Sequence, residues 1–569
     1  MKLPVLLSII GIGMLTSGKS QLMEKKEKFT EADSLRGSLN PRRTWWNVLR
    51  YDIVVQPDIS RRTITGNNRM TFSIAKSANE MQIDLQQPMQ IDSIVWNYSG
   101  GIPLSFTRRN NIALVVFPQL PKELKETSIT IFFSGKPIIA VRPPWDGGWI
   151  WTKDEQGNPW ISVACQGLGA SVWYPCKDHQ SDEPDRGATL TMVVPETLTG
   201  VANGRLIKEE KVQEGLKSFT WEVTNPINNY NLIPYIGKYT SFNDTLQGEK
   251  GKLDLSYWVL EEHIGAAKKQ FIQSKTMLRA FEYWLGPYPF YEDGYKLVES
   301  PHLGMEHQSA IAYGNKFLNG YMGMDLSRSG WGLKWDYIII HESGHEWFAN
   351  NITSNDMADM WIHEGYTTYT ETLYTEYLFG QQAGNEYNYG LREGIENQTP
   401  IVGPYGVNKE GSSDMYPKAA NMIHSIRHAL NNDSIFRSYL RALNKEFYHS
   451  QVDYADIEKI TTRFTGWSVA AIFRQYLTTT KIPRFAYALS PDGKTLYYRW
   501  ENCQNDFDLP VWINSGYNGE KKVQLLPQSN HWKKWNSADP ININSIREIE
   551  KMYYCTLRQQ NITDEMQQE

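Results

Sequence analysis

Cysteine is scarce: the 569-residue chain holds four, Cys165, Cys176, Cys503 and Cys555, far too few for a disulfide-stapled scaffold. Cys503 and Cys555 could bridge in an oxidising compartment. Long apolar runs are missing too. The one present, Leu3 to Leu15, has about 13 residues, short of the roughly 20 that span a bilayer. Mean hydropathy is −0.50, so no integral membrane span is expected once that segment is removed. Positive charge is not in excess either: 58 Lys+Arg stand against 63 Asp+Glu, for a net charge of −5. With no dense Lys/Arg run, the electrostatic footprint of a nucleic-acid binder is absent. Internal repeats and low-complexity segments are also lacking.

What is present is a core-forming composition, 41% apolar and 21% charged, typical of globular proteins. Aromatics reach 13%, with 20 Trp and 32 Tyr, enough to build cores and still line a cleft. The length suggests several domains. Met1-Lys2, the apolar run and the small-residue segment Thr16 to Ser20 have the three sections of a secretory signal peptide. Residues 1–20 are read as that signal, which implies a secreted or periplasmic protein, and 21–45 as a leader.

From 46 to 252 short alternating apolar runs separated by turn residues predict an all-β domain, a sandwich or a saddle-shaped assembly. Examples are Tyr51 to Val55, Met70 to Ile74, Met81 to Leu85, Ile129 to Phe133 and Leu190 to Val194. Asn243 to Lys252 reads as the closing linker. The apolar period then becomes helical, and 253–483 is expected to be mainly helical, with helices over Trp335 to Asn350, Glu364 to Phe379, Ala419 to Leu430 and Ile435 to Phe447. Strand-like runs return over 484–569, for example Leu496 to Trp500, and predict a small β-rich domain. The fold class is thus multidomain α+β.

The sharpest chemical signal is His341-Glu342-Ser343-Gly344-His345. Two histidines at i and i+4 project from one helix face, so both imidazoles can reach one tetrahedral metal with Glu342 beside it as base. A catalytic zinc needs a third protein ligand and an open position. Glu364, nineteen residues after His345, supplies it if a second helix returns antiparallel. His363 is then left as a supporting or surface residue. A structural zinc would use four closed ligands, usually rich in Cys, and none lies nearby.

These residues also carry a resemblance. His341 to Asn350 followed by Trp361-Ile362-His363-Glu364-Gly365 resembles the zinc motif of the aminopeptidase N-type (M1) gluzincin metallopeptidases, a family that also includes leukotriene hydrolase. Leu303-Gly304-Met305-Glu306-His307 is similar to the family's Gly-x-Met-Glu-Asn strand, Ala164 to Ala170 to its Gln-containing loop, and Tyr416-Pro417-Lys418-Ala419 to its Tyr-x-Lys-Gly. The likeness runs from about 45 to 480 and implies a thermolysin-like catalytic domain holding one Zn²⁺. It further implies Glu342 as general base, Tyr416 as donor to the oxyanion with Tyr405 as its competitor, and Glu306, Gln166, Gly304 and Met305 as substrate-binding residues. A carboxylate such as Glu306 at a fixed distance from the metal would recognise a free ammonium. The chain departs from the pattern at Leu303 and His307, so the first side-chain pocket is expected to differ. Its end at Glu569 leaves no room for the large helical C-terminal domain of many relatives, and a more open cleft is expected.

The leading expectation is an exported zinc aminopeptidase acting on peptides with a free N-terminus. The alternatives are a thermolysin-type endopeptidase, which needs no ammonium-binding acid, and a zinc-containing peptide-binding protein without turnover.

Overall fold

The computed structural model describes residues 28–515 and 521–568. The expected signal peptide, 1–20, lies outside the described residues. The helices Glu31–Gly37 and Pro41–Thr44 lie against the β region that follows: the buried Arg43 pairs with Asp84 at 2.5 Å.

An eight-stranded sheet dominates the first part, in the order Arg205–Gln213, Leu216–Val223, Ala188–Pro195, Trp46–Asp58, Thr63–Ile74, Glu126–Gly135, Gln90–Trp96, Ile102–Pro103. Trp46–Asp58 runs parallel to Ala188–Pro195 and antiparallel to Thr63–Ile74. The period-two alternation legible in the sequence places Leu190, Met192 and Val194 inward and Thr189 and Thr191 outward, as a half-buried strand requires. Smaller sheets of four and three strands complete this region. Its core includes Trp45, Trp46, Phe72, Trp149 and Trp173.

The Asn243 to Lys252 segment is not a linker. Tyr239–Gly248 and Gly251–Leu260 form a tight hairpin, and Gly251–Leu260 pairs in parallel with Tyr295–Glu299 in a five-stranded sheet. The polarity that suggested a linker belongs to exposed residues of a two-strand ribbon and its turn. At the far edge of this sheet lies Gly304–Met305, antiparallel to Ile311–Tyr313.

The helices that matter for the site are Tyr337–Gly344, Trp361–Phe379 and Pro417–Leu430. C-terminal to them, a four-stranded sheet in the order Lys533–Asn536, Thr495–Glu501, Arg484–Leu489, Thr556–Gln559 packs with the helix Ile543–Met552. One continuous core joins this β region to the helices, from Leu246 through Trp361 and Ile472 to Cys555. The α+β architecture thus has a β-rich N-terminal part, a helical middle and a C-terminal β-rich part. All four cysteines are free, so the bridge considered between Cys503 and Cys555 is not formed. Among the described residues no helix is long and apolar enough to cross a membrane.

Candidate functional site

The helix Tyr337–Gly344 begins at Asp336, whose carboxylate accepts from the backbone N–H groups of Ile338 and Ile339, the usual way an N-terminal turn satisfies its orphan donors. Ile338, Ile339 and Ile340 anchor it in the core. It stops sooner than the sequence suggested: His345 is already its C-terminal cap. Gly344 lies where this helix meets Trp361–Phe379, and a Cβ there would sit 2.6 Å from Thr370 Oγ1. Only glycine permits so close an approach.

That approach brings His341, His345 and Glu364 together. Glu364 Oε2 lies 3.6 Å from His341 Nε2 and 3.3 Å from His345 Nε2. All three side chains are buried. Glu364 Oε2 has no hydrogen-bond partner, an arrangement that costs free energy unless a cation satisfies the oxygen. The other ring nitrogens are engaged: His341 Nδ1 meets Glu371 Oε1 at 2.7 Å, and His345 Nδ1 meets the Phe348 carbonyl at 2.9 Å. Such partners hold the Nδ1–H tautomer and direct Nε2 at a metal. Tyr337 stacks on His341, centroids 5.1 Å apart. Glu371 accepts from Tyr387 Oη at 2.6 Å through its second oxygen.

Glu342 stands on the same helix, 8% exposed. Burial pushes its carboxyl up to about 7, opposed by His341 and His345; a bound dication pulls such a group down again. Gly304 leaves it room, since a Cβ there would lie 2.6 Å from Glu342 Oε1. Immediately after the two-residue strand Gly304–Met305, Glu306 approaches Glu342 and His345, with ligand atoms of the three within 4.8 Å of one another. Gln166 Nε2 donates to Glu306 Oε1 at 2.5 Å, and Tyr230 Oη donates to the same oxygen at 2.9 Å. Burial raises the Glu306 carboxyl above its ordinary value, with His345 opposing. Met305, between these residues, has its side chain in the N-terminal core.

Tyr416 stacks over His341, centroids 6.0 Å apart, and burial lifts its phenol well above the ordinary value. Tyr405 is 55% exposed and donates to Asp359 Oδ1 at 3.0 Å, so of the two tyrosines only Tyr416 stacks on one of the converging histidines. His363 is fully buried and accepts from the Ser354 N–H at 2.8 Å through Nε2, a supporting role. His307, one of the two departures from the family pattern, is buried with Nδ1 2.5 Å from Tyr235 Oη. Leu303, the other, is partly buried at the strand edge.

Glu371 and Tyr230 escaped the sequence reading. Glu371 had a signal: it lies at i+7 from Glu364 on one helix, two turns along the same face. Tyr230 had none, being one of 32 tyrosines in a short polar stretch.

A model of the peptidase family M1 domain matches residues 272–476, and one of the peptidase M1 N-terminal domain matches residues 47–230. The chain belongs to peptidase family M1. Among curated relatives, the M1 chain is 22% identical over 434 residues to endoplasmic reticulum aminopeptidase 1 of Rattus norvegicus, covering 70% of this chain and 44% of the relative. It is 22% identical over 361 residues to leukotriene A-4 hydrolase of Xenopus laevis, covering 58% and 56%. The chain thus spans about half the length of the curated relatives it matches. Its fold is similar to that of an M1 zinc metallopeptidase from Deinococcus radiodurans, with TM-score 0.64 and 20% identity, covering 77% of this chain and 95% of that one.

The M1 family implies a single catalytic Zn²⁺, and the donors fit it. Two neutral imidazoles and a carboxylate form the three-ligand set of catalytic zinc, and the unpartnered Glu364 Oε2 is the oxygen such an ion would satisfy.

Proposed function

We propose that this M1 chain is an exported, zinc-dependent aminopeptidase that removes N-terminal residues from peptides. The observation that carries the reading is the placement of Glu306: a buried carboxylate beside Glu342 and His345, with Gln166 and Tyr230 both bonded to its Oε1. Its Oε2 is the acceptor assigned to the substrate's α-ammonium. The donor set alone would suit an endopeptidase equally well. Export rests on the apolar segment Leu3 to Leu15 and its flanks, with secretion or the periplasm as the destination.

His341, His345 and Glu364 would hold the Zn²⁺, which would supply Lewis acidity to the attacking water and the scissile carbonyl. The chain does the rest. Glu306 fixes the peptide's first residue by a charge-assisted hydrogen bond, and Gln166, whose Nε2 is spent on Glu306, keeps its carbonyl oxygen as a neutral acceptor for the same ammonium. Glu342 takes the water proton on a carboxylate oxygen and returns it to the leaving amine. The Tyr416 hydroxyl donates to the oxygen on which charge develops.

Acetylating the substrate N-terminus removes the charge and leaves Glu306 buried without its partner. Hydrolysis of the N-acetylated peptide should fall at least ~10²-fold, from the roughly 3 kcal/mol or more that breaking a buried pair costs. Glu306→Ala should damage cleavage of the free peptide by a similar factor and narrow the gap between the two substrates. Internal cleavage of the acetylated peptide at an undiminished rate would establish the endopeptidase instead. Binding of peptide and zinc without turnover of either substrate would establish the inactive binding protein.

A further inference from the structure

The helix Pro417–Leu430 carries a second pair of histidines at i and i+4, His424 and His428, the spacing that puts two imidazoles on one helix face. Neither belongs to the cluster around Glu364. Their Nε2 atoms face each other at 3.1 Å, and His428 Nε2 also lies 3.3 Å from Oδ1 of Asn385, on the neighbouring helix Gln381–Gly390. Three atoms with lone pairs to offer therefore converge. Ligand atoms on a tetrahedral zinc with bonds of about 2.0–2.1 Å stand ~3.3 Å apart, so both separations suit neighbouring ligands of one ion. Glu364 Oε2 and His345 Nε2 are separated by the same 3.3 Å.

The surroundings fit as well. His424 is fully buried and its Nδ1 lies 3.1 Å from Tyr369 Oη, a partner able to hold the Nδ1–H tautomer and leave the Nε2 lone pair for a cation. Burial keeps both rings in the neutral form that ligates a metal: the His424 imidazole is pushed well below its ordinary value and that of His428 down to about 3, with Arg427 acting in the same direction on each. Without a cation the three atoms must share one proton. If His428 Nε2 carries it, that N–H is divided between His424 Nε2 and Asn385 Oδ1; if His424 Nε2 carries it, His428 Nε2 and Asn385 Oδ1 face each other as two acceptors.

His428 and Asn385 open onto a groove of ≈ 400 Å³ that Trp512, Lys522 and Tyr553 of the C-terminal part also line. It offers an ion a way in and leaves room for water at a fourth coordination position. The charged groups lining it balance, Asp433 and Glu548 against Arg427 and Lys522. Arg427 is moreover compensated by Glu376 at 2.7 and 2.8 Å and by Asp433 at 2.8 Å.

We propose that His424, His428 and Asn385 form a second metal site, separate from His341, His345 and Glu364, for a late first-row divalent ion, with Zn²⁺ as the probe. Imidazole ligands favour such ions over Mg²⁺ and Ca²⁺, which prefer oxygen. A neutral amide replaces the carboxylate of the catalytic set, so the second ion binds more weakly than the first. It joins the helix that Tyr416 caps to its neighbour, at the seam with the C-terminal part. The inference does not depend on the aminopeptidase reading.

The test takes the chain dialysed to one Zn²⁺ and titrates it with ZnCl₂ in excess MgCl₂, following heat and thermal unfolding. A second Zn²⁺ per chain should bind, and Tm should climb with zinc concentration, as it does for any ligand selective for the folded state. His428→Gln keeps a polar group at the groove wall and should weaken the second zinc at least ~10-fold, because loss of a mere supporting partner already costs ~10–100-fold. Asn385→Asp adds a negative charge to the ligand set and should tighten the second zinc by a similar factor. Both variants should retain the first zinc. A stoichiometry that stays at one in the wild-type chain overturns the site and leaves a hydrogen-bonded histidine pair. A second zinc whose affinity neither variant moves overturns it in favour of adventitious surface binding. Should His428→Gln fail to fold, Asn385→Asp decides alone, and an unchanged affinity overturns the site.

Discussion

At the scale of single residues the site separates groups that hold the metal from groups that do chemistry. Glu342 shares the helix of His341 but is not one of the three side chains that converge at Glu364 Oε2. Glu342→Gln keeps the side chain's shape and removes its basicity, so turnover should fall ~10²–10⁴-fold, the range for a general acid–base residue, with zinc stoichiometry still near one. Metal analysis of the purified variant checks it, and parallel loss of zinc would make Glu342 a ligand. Tyr416→Phe removes only a hydroxyl from a ring that stacks on His341. The oxyanion should lose a donor worth roughly 2.7–4 kcal/mol, expressed in kcat more than in KM. Tyr405→Phe, tested in parallel, should be close to wild type, because that hydroxyl is spent on Asp359.

At the scale of elements, Trp361–Phe379 does two jobs: Glu364 offers the third ligand, and Glu371, two turns on, receives His341 Nδ1. Glu371→Gln weakens the acceptor that orients the imidazole without opening a cavity. Zinc affinity should drop ~10–100-fold, the usual effect of losing such a support, read by competition with a chelator independently of activity. A variant with wild-type zinc affinity would make Glu371 a packing residue only. The histidine spacing and the position of Glu364 were legible because a helix repeats every 3.6 residues and both ligand groups sit in compact motifs. The hairpin over residues 239–260 was misread because its exposed face is polar, and polarity alone does not distinguish a solvated strand from a linker.

At the scale of the whole molecule, the N-terminal and helical parts meet through buried polar groups. Glu183 accepts from Thr353 Oγ1 and, at 2.8 Å, from Gln451 Nε2. Burial pushes its carboxyl up to about 7, against the two donors. The folded value lies above the unfolded one of 4.5, so Glu183 favours the folded state fully below about pH 4.5, and that contribution is lost as pH rises through about 7. Over that window it should amount to about 3 kcal/mol. Glu183→Gln mimics the protonated acid, and its Tm relative to wild type should rise between pH 5 and pH 8. A constant difference across that range would show that Glu183 is already ionised in the folded state at pH 5.

Local chemistry was determined by the sequence itself. The histidines at i and i+4, the glutamate between them, Glu364 and the period-two strands all follow from the spacing of residues within one or two elements, and short-range backbone geometry enforces them wherever the chain folds. Only the tertiary structure decided which distant groups meet: Gln166, Tyr230 and Glu306 converge across separations of 140 and 76 residues, and Glu183 reaches Thr353 across 170. No periodicity encodes these encounters. They arise because two apolar cores, packed together, leave a polar seam whose members must find partners on the opposite side.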